Sequence, residues 1–314
     1  MSLTITPVSV IVPNYNSGCY LEDCIKSINS DQWPVEILII DDCSTDDSLA
    51  LAIRLETQYS NIRVLQLQEN GGAAEARKFG IVAASQNWIA FVDADDLLEE
   101  NAVATAYIKA QDECSDVCIL DMWRFDSSRS WCNISLNPID FPKTGRQAVV
   151  ETLGGWRIHP LGVAKKQVYL NAYSGFVEKN LNADELLTRL FFAEASKVSF
   201  CEKKYFYRIN PNSSTQKISN KRLTTLRSYI WLLQFAKSYP EVRLENIGSG
   251  AIAQAWYFFK NRKIYGYKEV AETLTDFMLE FIKHSDLSKW LWRYPKHLIA
   301  FLVIGLACSF RINR

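Results

Sequence analysis

Apolar and polar residues alternate in blocks along the first hundred positions. Residues 8–13 (VSVIVP), 35–40 (VEILII), 62–67 (IRVLQL) and 89–92 (IAFV) are short apolar runs, most of them rich in β-branched side chains. Runs of this length bounded by polar residues read as buried strands. Between them, 20–30 carries Leu21, Cys24, Ile25 and Ile28 at helical spacing, and 73–84 reads as a helix of small residues. Ser44 or Thr45 suits the N-cap of a helix running to about residue 59. Strand–helix alternation repeated four times predicts an α/β fold with a mostly parallel sheet covered by helices.

Each of these strands stops at a polar cluster: Pro13-Asn14-Tyr15, Asp41-Asp42, Asn70-Gly71-Gly72 and Asp93-Ala94-Asp95-Asp96. Ligands of such sheets sit beyond the carboxyl ends of the strands, so the fold would gather four weak signals on one rim. The last cluster places three carboxylates within four residues. They repel one another unless a cation lies among them, and a hard cation such as Mg²⁺ or Mn²⁺ prefers carboxylate oxygens while leaving positions for substrate phosphates. The competing reading is a solvated acidic turn in which Asp96 caps a helix starting near Leu97. On such a rim Tyr15 can stack on a nucleobase and Asp42 can accept from a base N–H. Gly71 and Gly72 let backbone approach a ligand closely, and Arg77 can pair with a diphosphate. No GxGxxG and no GxxxxGK[ST] occurs, so a nucleoside diphosphate held through a metal at Asp93 and Asp95 fits better than NAD or ATP.

Beyond residue 100 the pattern predicts a strand over 117–123, short helices over 147–153 and 168–173, and a strand or edge hairpin over 197–207. Segment 127–143 is turn-rich. In 156–162 (WRIHPLG) the favoured reading of His159 is a hydrogen-bonded core histidine; the alternative is an acceptor contact. Asp184 opens a helix with Leu187, Leu190 and Phe191 on one face, and taken alone it is an acid that suits the N-terminal end of the helix dipole. Arg208 has two readings, reaching a diphosphate or forming a surface ion pair. The last hundred residues predict three helices, over 221–238, 250–263 and 267–284, with apolar stripes such as Val270, Leu274, Phe277 and Phe281.

Composition narrows the function classes. Apolar residues make up 48% of the 314, enough for a substantial core, and the formal net charge is zero, which argues against nucleic acid as a partner. Eight cysteines and three histidines occur without a CxxC pair, so no zinc site is expected and a reduced, cytosolic protein is. No signal-peptide pattern opens the chain. Residues 298–308 are wholly apolar but too short to span a bilayer. Trp290, Trp292 and Tyr294 lie among Lys289, Arg293 and Lys296 just before them. Segment 286–314 therefore reads as a peripheral membrane contact; the alternative is a helix packed on the preceding bundle or in a homo-oligomer interface.

The sequence resembles the family 2 glycosyltransferases of bacterial polysaccharide and O-antigen assembly. Six pieces occur in the family's order: VSVIVPNYN (8–16), ILIIDDCSTDDS (37–48), NGGAAEARKFGI (70–81), FVDADD (91–96), NADELLTRLFF (182–192) and YFYRINPNSST (205–215). Two departures stand out: Cys43 replaces the family's more common glycine, and Ala183-Asp184 replaces its usual Glu-Asp. The resemblance implies a GT-A (Rossmann-like) catalytic domain over 1–215, with 216–314 as a helical C-terminal extension. It implies an inverting, hexosyltransferase-type, metal-dependent enzyme that uses a nucleotide-sugar donor, UDP-linked for preference, and Mn²⁺ or Mg²⁺. The acceptor would be a glycan or lipid-linked glycan on the inner face of the cell membrane. Pro13, Tyr15 and Asp42 would form the uracil pocket; Asp95, with Asp93, would lie at the diphosphate and metal, and Asp184 would be the general base. Two other classes compete. A sugar nucleotidyltransferase would want a glycine-rich basic loop where Pro13-Asn14-Tyr15-Asn16 stands, and an inactive nucleotide-sugar-binding protein would not need Asp93, Asp95 and Asp184.

Overall fold

The computed structural model describes residues 7–29, 33–126, 128, 130–132, 136–153, 157–174, 183–209 and 220–284. They fall into two compact units. The first is drawn from residues 1–149, 157–176 and 187–211, and the second from 150–156, 177–186 and 212–314. The main stretch of the second unit thus begins at 212, and no shift in composition marks the two short segments that join it.

The first unit opens with β1 (Val8–Asn14), α1 (Gly18–Ile28), β2 (Glu36–Asp41), α2 (Ser48–Gln58), β3 (Ile62–Gln66), α3 (Ala73–Ala83) and β4 (Trp88–Phe91). All four strands are parallel neighbours, in the spatial order β3-β2-β1-β4. The chain then adds β5 (Leu97–Leu98), α4 (Ala102–Asp112), β6 (Val117–Phe125), β7 (Ser130–Cys132), β8 (Lys143–Thr144) and α5 (Gly145–Leu153). It continues through β9 (Gly162–Lys165), α6 (Lys166–Ser174), α7 (Ala183–Glu194) and β10 (Lys197–Arg208). The sheet has ten strands among the described residues and continues from β4 as β9-β6-β10-β5, with β7 on β6 and β8 on β10. β9 runs antiparallel to both β4 and β6, which restores β6 and β10 to the direction of β1. Strand order reverses between β1 and β4, and a crevice opens at such a switch point beyond the strand ends.

The strands form where the apolar runs predict them because both faces of the sheet are covered. Every residue of β2 is buried, as are Val8, Val10, Ile11 and Val12 of β1. Fully burying one such side chain contributes roughly 1.5–3 kcal/mol. Two expectations are corrected here. The N-cap of α2 is Asp47, because Ser44 and Thr45 are turned toward Asn14 and Asn16 of the neighbouring loop. Asp96 caps no helix: β5 follows it, and α4 starts only at Ala102. The short β9 was not foreseen. Its Gly162 faces the backbone of β6, where an added Cβ would lie 2.2 Å from the Cys118 carbonyl oxygen and 2.7 Å from Ile119 Cα. Backbone in mid-sheet cannot yield as a flexible side chain does. Gly162→Ala is therefore expected to destabilise the protein by about 3 kcal/mol, read as a lower urea midpoint; an unchanged midpoint would show that the strands separate freely.

The second unit contains α8 (Thr225–Ala236), α9 (Leu244–Lys260), α10 (Arg262–Tyr265) and α11 (Tyr267–His284). The stripe Val270, Leu274, Phe277 and Phe281 of α11 is buried, as its helical spacing predicts. Helix α9 begins six residues before the predicted start, since Ile247, Ala251 and Ile252 extend its buried face. An open groove of about 790 Å³ lies along α8 and α11, lined by Arg227, Trp231 and Asp276 among others. No helix among the described residues is long and apolar enough to cross a membrane. Segment 286–314, read above as a membrane contact, lies outside the described residues.

Candidate active site

The carboxyl ends of β1, β2, β3 and β4 meet on one edge of the first unit. β1 pairs with β2 as far as Asn14↔Asp41 and with β4 as far as Ile11↔Phe91, and Val92 N–H continues the ladder onto the Ile11 carbonyl at 3.1 Å. Parallel register thus brings Pro13, Tyr15, Asp42, Gly72, Asp93 and Asp95 to a common rim.

A buried polar cluster builds the left side of that rim. Asp41 is fully buried; its carboxylate accepts from Asn14 Nδ2 at 2.8 Å and from Ser44 N at 3.1 Å. The next loop is clipped on by Asn16, whose Oδ1 accepts from the amides of Thr45 (2.7 Å) and Asp46 (3.2 Å). Asn16 itself has φ 53°, a left-handed conformation that asparagine tolerates better than most residues. Tyr15, just before it, is 49% exposed, so its ring is available for stacking. Cys43 has φ 59°. Glycine adopts this conformation freely, whereas a side chain here costs about 1–2 kcal/mol. Its thiol reaches the Leu67 carbonyl at 3.1 Å, which offsets little of that cost. Cys43→Gly is expected to stabilise the protein by about 0.5–1 kcal/mol, after allowing for glycine's freer unfolded chain. Chemical denaturation measures this, and a lower midpoint would contradict it.

Asp42 is buried and holds the glycine turn of the third cluster. One oxygen accepts from Gly71 N at 2.7 Å and the other from Gly72 N at 2.8 Å, while Asn70 Nδ2 donates to the Asp42 carbonyl at 3.0 Å. Each carboxylate oxygen keeps a second lone pair for a ligand. Gly72 has φ 82° and ψ 169°, a region open essentially to glycine alone, although a Cβ there would touch nothing within 4 Å. Conformation, not space, requires glycine at this point. The backbone beside the rim is consequently bare.

The acid loop divides its three carboxylates. Asp93 and Asp95 are half-buried and Asp96 is 1% exposed. Arg77, from α3, places Nη2 2.7 Å from Asp93 Oδ1, so its charge is already set against the first acid. Asp96 points inward, accepting from the Tyr205 hydroxyl at 2.7 Å and from Arg208 N at 2.7 Å. Burial, then the nearby Asp93 charge, pushes the Asp96 carboxyl well above the usual range. Asp96 is therefore neither a helix cap nor a solvent-facing acid. Arg208 is half-buried: Nε donates to the Asp95 carbonyl at 2.6 Å, and the guanidinium lies over the rings of Phe125 (4.4 Å) and Tyr20 (4.8 Å). Sequence reading gave no individual role to Asp41, Asn16 and Tyr205, although each lies in a motif piece quoted above.

The donor set bears on a metal. Asp93 and Asp95 offer hard oxygen ligands, but no group of three His, Cys, Asp or Glu able to hold a metal occurs among the described residues. Two half-buried carboxylates are the donor type that Mg²⁺ or Mn²⁺ takes together with substrate phosphates and water.

Two further residues singled out in the sequence are His159 and Asp184. His159 is 3% exposed; Nδ1 accepts from Leu161 N at 3.2 Å, and burial lowers its pKa to about 3. It is a neutral interior histidine. Asp184 is an exposed residue in the first turn of α7, within the stretch 177–186 that clusters with the second unit.

A parallel sheet with this switch point, an acid loop and a bare glycine turn is the architecture of the GT-A glycosyltransferases, and solved structures of that class share the fold. Staphylococcus aureus TarS in complex with UDP-GlcNAc superposes with a TM-score of 0.63 at 20% identity, over 87% of this chain and 81% of that one. A mannosyltransferase from Pyrobaculum calidifontis in complex with GDP-Man and Mn²⁺ gives 0.52 at 16% identity, over 97% and 90%. In sequence, residues 9–159 match the family described as glycosyl transferase family 2. Glycosyltransferase GlyG of Streptococcus pneumoniae serotype 4 is 30% identical over 220 residues, which is 64% of this chain and 70% of that protein. The chain belongs to glycosyltransferase family 2.

Proposed function

We propose that this glycosyltransferase moves a sugar from a nucleoside diphosphate sugar to a glycan hydroxyl with inversion at the anomeric carbon. The convergence of Tyr15, Asp42, Gly72, Asp93 and Asp95 on one strand-end rim carries the reading. In this assignment the base lies against Pro13 and Tyr15, and its polar edge meets Asp42. The diphosphate passes the glycine turn toward Asp95, with Arg77 and Arg208 behind Asp93 and Asp95. A divalent cation at Asp95 and Asp93 would supply the charge that neutralises the leaving nucleoside diphosphate. Asp184 is assigned as the base that takes the acceptor's proton, on the family pattern of its segment. UDP is the favoured nucleotide, a choice supported by the UDP-GlcNAc complex of TarS. A lipid-carried acceptor suits the mixed basic and aromatic residues 289–294.

The test is a panel of UDP-, GDP- and dTDP-sugars incubated with Mn²⁺ and with or without candidate glycan acceptors, followed by nucleoside diphosphate release. One donor is expected to yield diphosphate faster with acceptor present. Release of nothing from any sugar nucleotide would sink the transferase reading.

A further inference from the structure

Apart from Arg208, the acid loop is held by groups to which the reaction proposed above gives no role. Asp96 and Tyr205 are each 1% exposed. The Tyr205 hydroxyl donates to Asp96 Oδ2 at 2.7 Å and accepts the Asp93 N–H at 3.2 Å. The other Asp96 oxygen accepts Arg208 N at 2.7 Å, and Arg208 Nε returns to the Asp95 carbonyl at 2.6 Å. On the opposite side, the Cys24 thiol of α1 donates to the Asp93 carbonyl at 3.5 Å, and Leu98 N–H donates to Ser27 Oγ at 3.0 Å. Asp93 is thus fixed at both its amide and its carbonyl, and Asp95 at its carbonyl. The buried Asp96–Tyr205 pair is the node where these ties meet.

A carboxylate loop of this kind gains nothing in hydrophobic burial from an inward acid. A hydrogen-bonded acid in the interior is costly to place and is retained where it fixes a geometry. The geometry fixed here is the backbone that carries Asp93 and Asp95, both half-buried at the rim. We propose that Asp96 and Tyr205 are positioning residues that set those two carboxylates for a divalent cation and the diphosphate it bridges, an inference that rests on the assignment of Asp93 and Asp95 made above. Tyr205 is the more informative of the two. Its ring fills core volume, but its hydroxyl alone touches the loop, so removing one oxygen separates packing from positioning. Groups behind metal ligands, when altered, typically weaken metal affinity by about 10- to 100-fold.

Mn²⁺ binding, measured by the loss of the free-ion paramagnetic resonance signal with UDP or GDP present, tests this on the full chain. Wild type, Tyr205→Phe and Asp95→Asn are compared, with thermal unfolding run on each. Tyr205→Phe is expected to bind Mn²⁺ with nucleotide at least tenfold more weakly at a temperature where it is fully folded. In turnover, the Mn²⁺ concentration for half-maximal rate and the donor KM should rise, while kcat at saturating metal stays within a few-fold of wild type. A Tyr205→Phe protein that is only less thermostable, with wild-type Mn²⁺ affinity while Asp95→Asn has lost it, overturns the positioning role and leaves the site assignment standing. Wild type and Asp95→Asn that bind Mn²⁺ equally would instead overturn the site assignment, and the positioning role with it.

Discussion

Asp95→Asn is expected to lower sugar transfer by roughly 10²- to 10³-fold, the usual cost of removing one preorganised charge from a polar transition state. The change is nearly isosteric. The backbone at Asp95 is fixed by Arg208 Nε on its carbonyl, so the loop keeps its course while the carboxylate charge is lost. Asp93 cannot substitute fully, because Arg77 Nη2 lies 2.7 Å from its carboxylate and opposes a second cation there. The loss should therefore be partly recovered by raising Mn²⁺ for Asp93→Asn and hardly at all for Asp95→Asn. Nucleoside diphosphate release under saturating donor checks both variants beside wild type. Asp95→Asn with more than a tenth of wild-type activity at ordinary Mn²⁺ would remove this carboxylate from the site.

A second large effect concerns stability below neutral pH. His159 is buried with its pKa lowered to about 3, against about 6.5 for an unfolded chain. Between those values the unfolded state binds a proton that the folded state refuses. Stability therefore falls as pH drops through that window, by up to about 1.4 kcal/mol per unit. From pH 6.5 to 4.5 the loss from this residue is about 2–3 kcal/mol. Asp96 acts in the opposite sense: its raised carboxyl favours the folded state at low pH, and that contribution fades as pH rises through the folded-state value. Comparison with His159→Gln isolates the histidine, since the amide oxygen of glutamine can accept from Leu161 N–H without titrating. Urea midpoints at pH 6.5 and 4.5 are expected to converge in the variant relative to wild type. Equal pH slopes would mean that water reaches the ring.

The first four strands and their polar ends were legible because their signals are local. Each of the first four strands ends in its own polar cluster within three or four residues, and parallel pairing carries those ends to one edge without further information. Helix α11 matches its stripe from Tyr267 to His284 for the same reason. What escaped depends on distant parts of the chain. Reading Asp96 against its sequence neighbours suggested a cap, but its partners Tyr205 and Arg208 lie 109 and 112 residues away. β9 is four residues long with a glycine at its start, and only the gap between β4 and β6 makes it a strand. Arg77 was legible as a site cation, but its setting against Asp93 was not, since helix phase alone does not say which rim group a long side chain meets. The metal and the base Asp184 rest on chemistry and family pattern, not on an assembled geometry.

The long reach of Tyr205 has a consequence during synthesis. Strands β1 to β4 and their helices form one uninterrupted stretch of chain, so this half of the sheet can fold as soon as it leaves the ribosome. The acid loop that follows β4 has to wait. At roughly 5–20 residues per second, the hundred or so residues that separate it from β10 take about five to twenty seconds to make. Until then the loop is held only from the first half, by Arg77 and Cys24 on Asp93 and by Ser27 on Leu98, and Asp96 lacks both of its partners. A nascent chain would pass through a stage with the strand-end rim in place and the acid loop only partly held, and the last ties would close when the hydroxyl of Tyr205 docks.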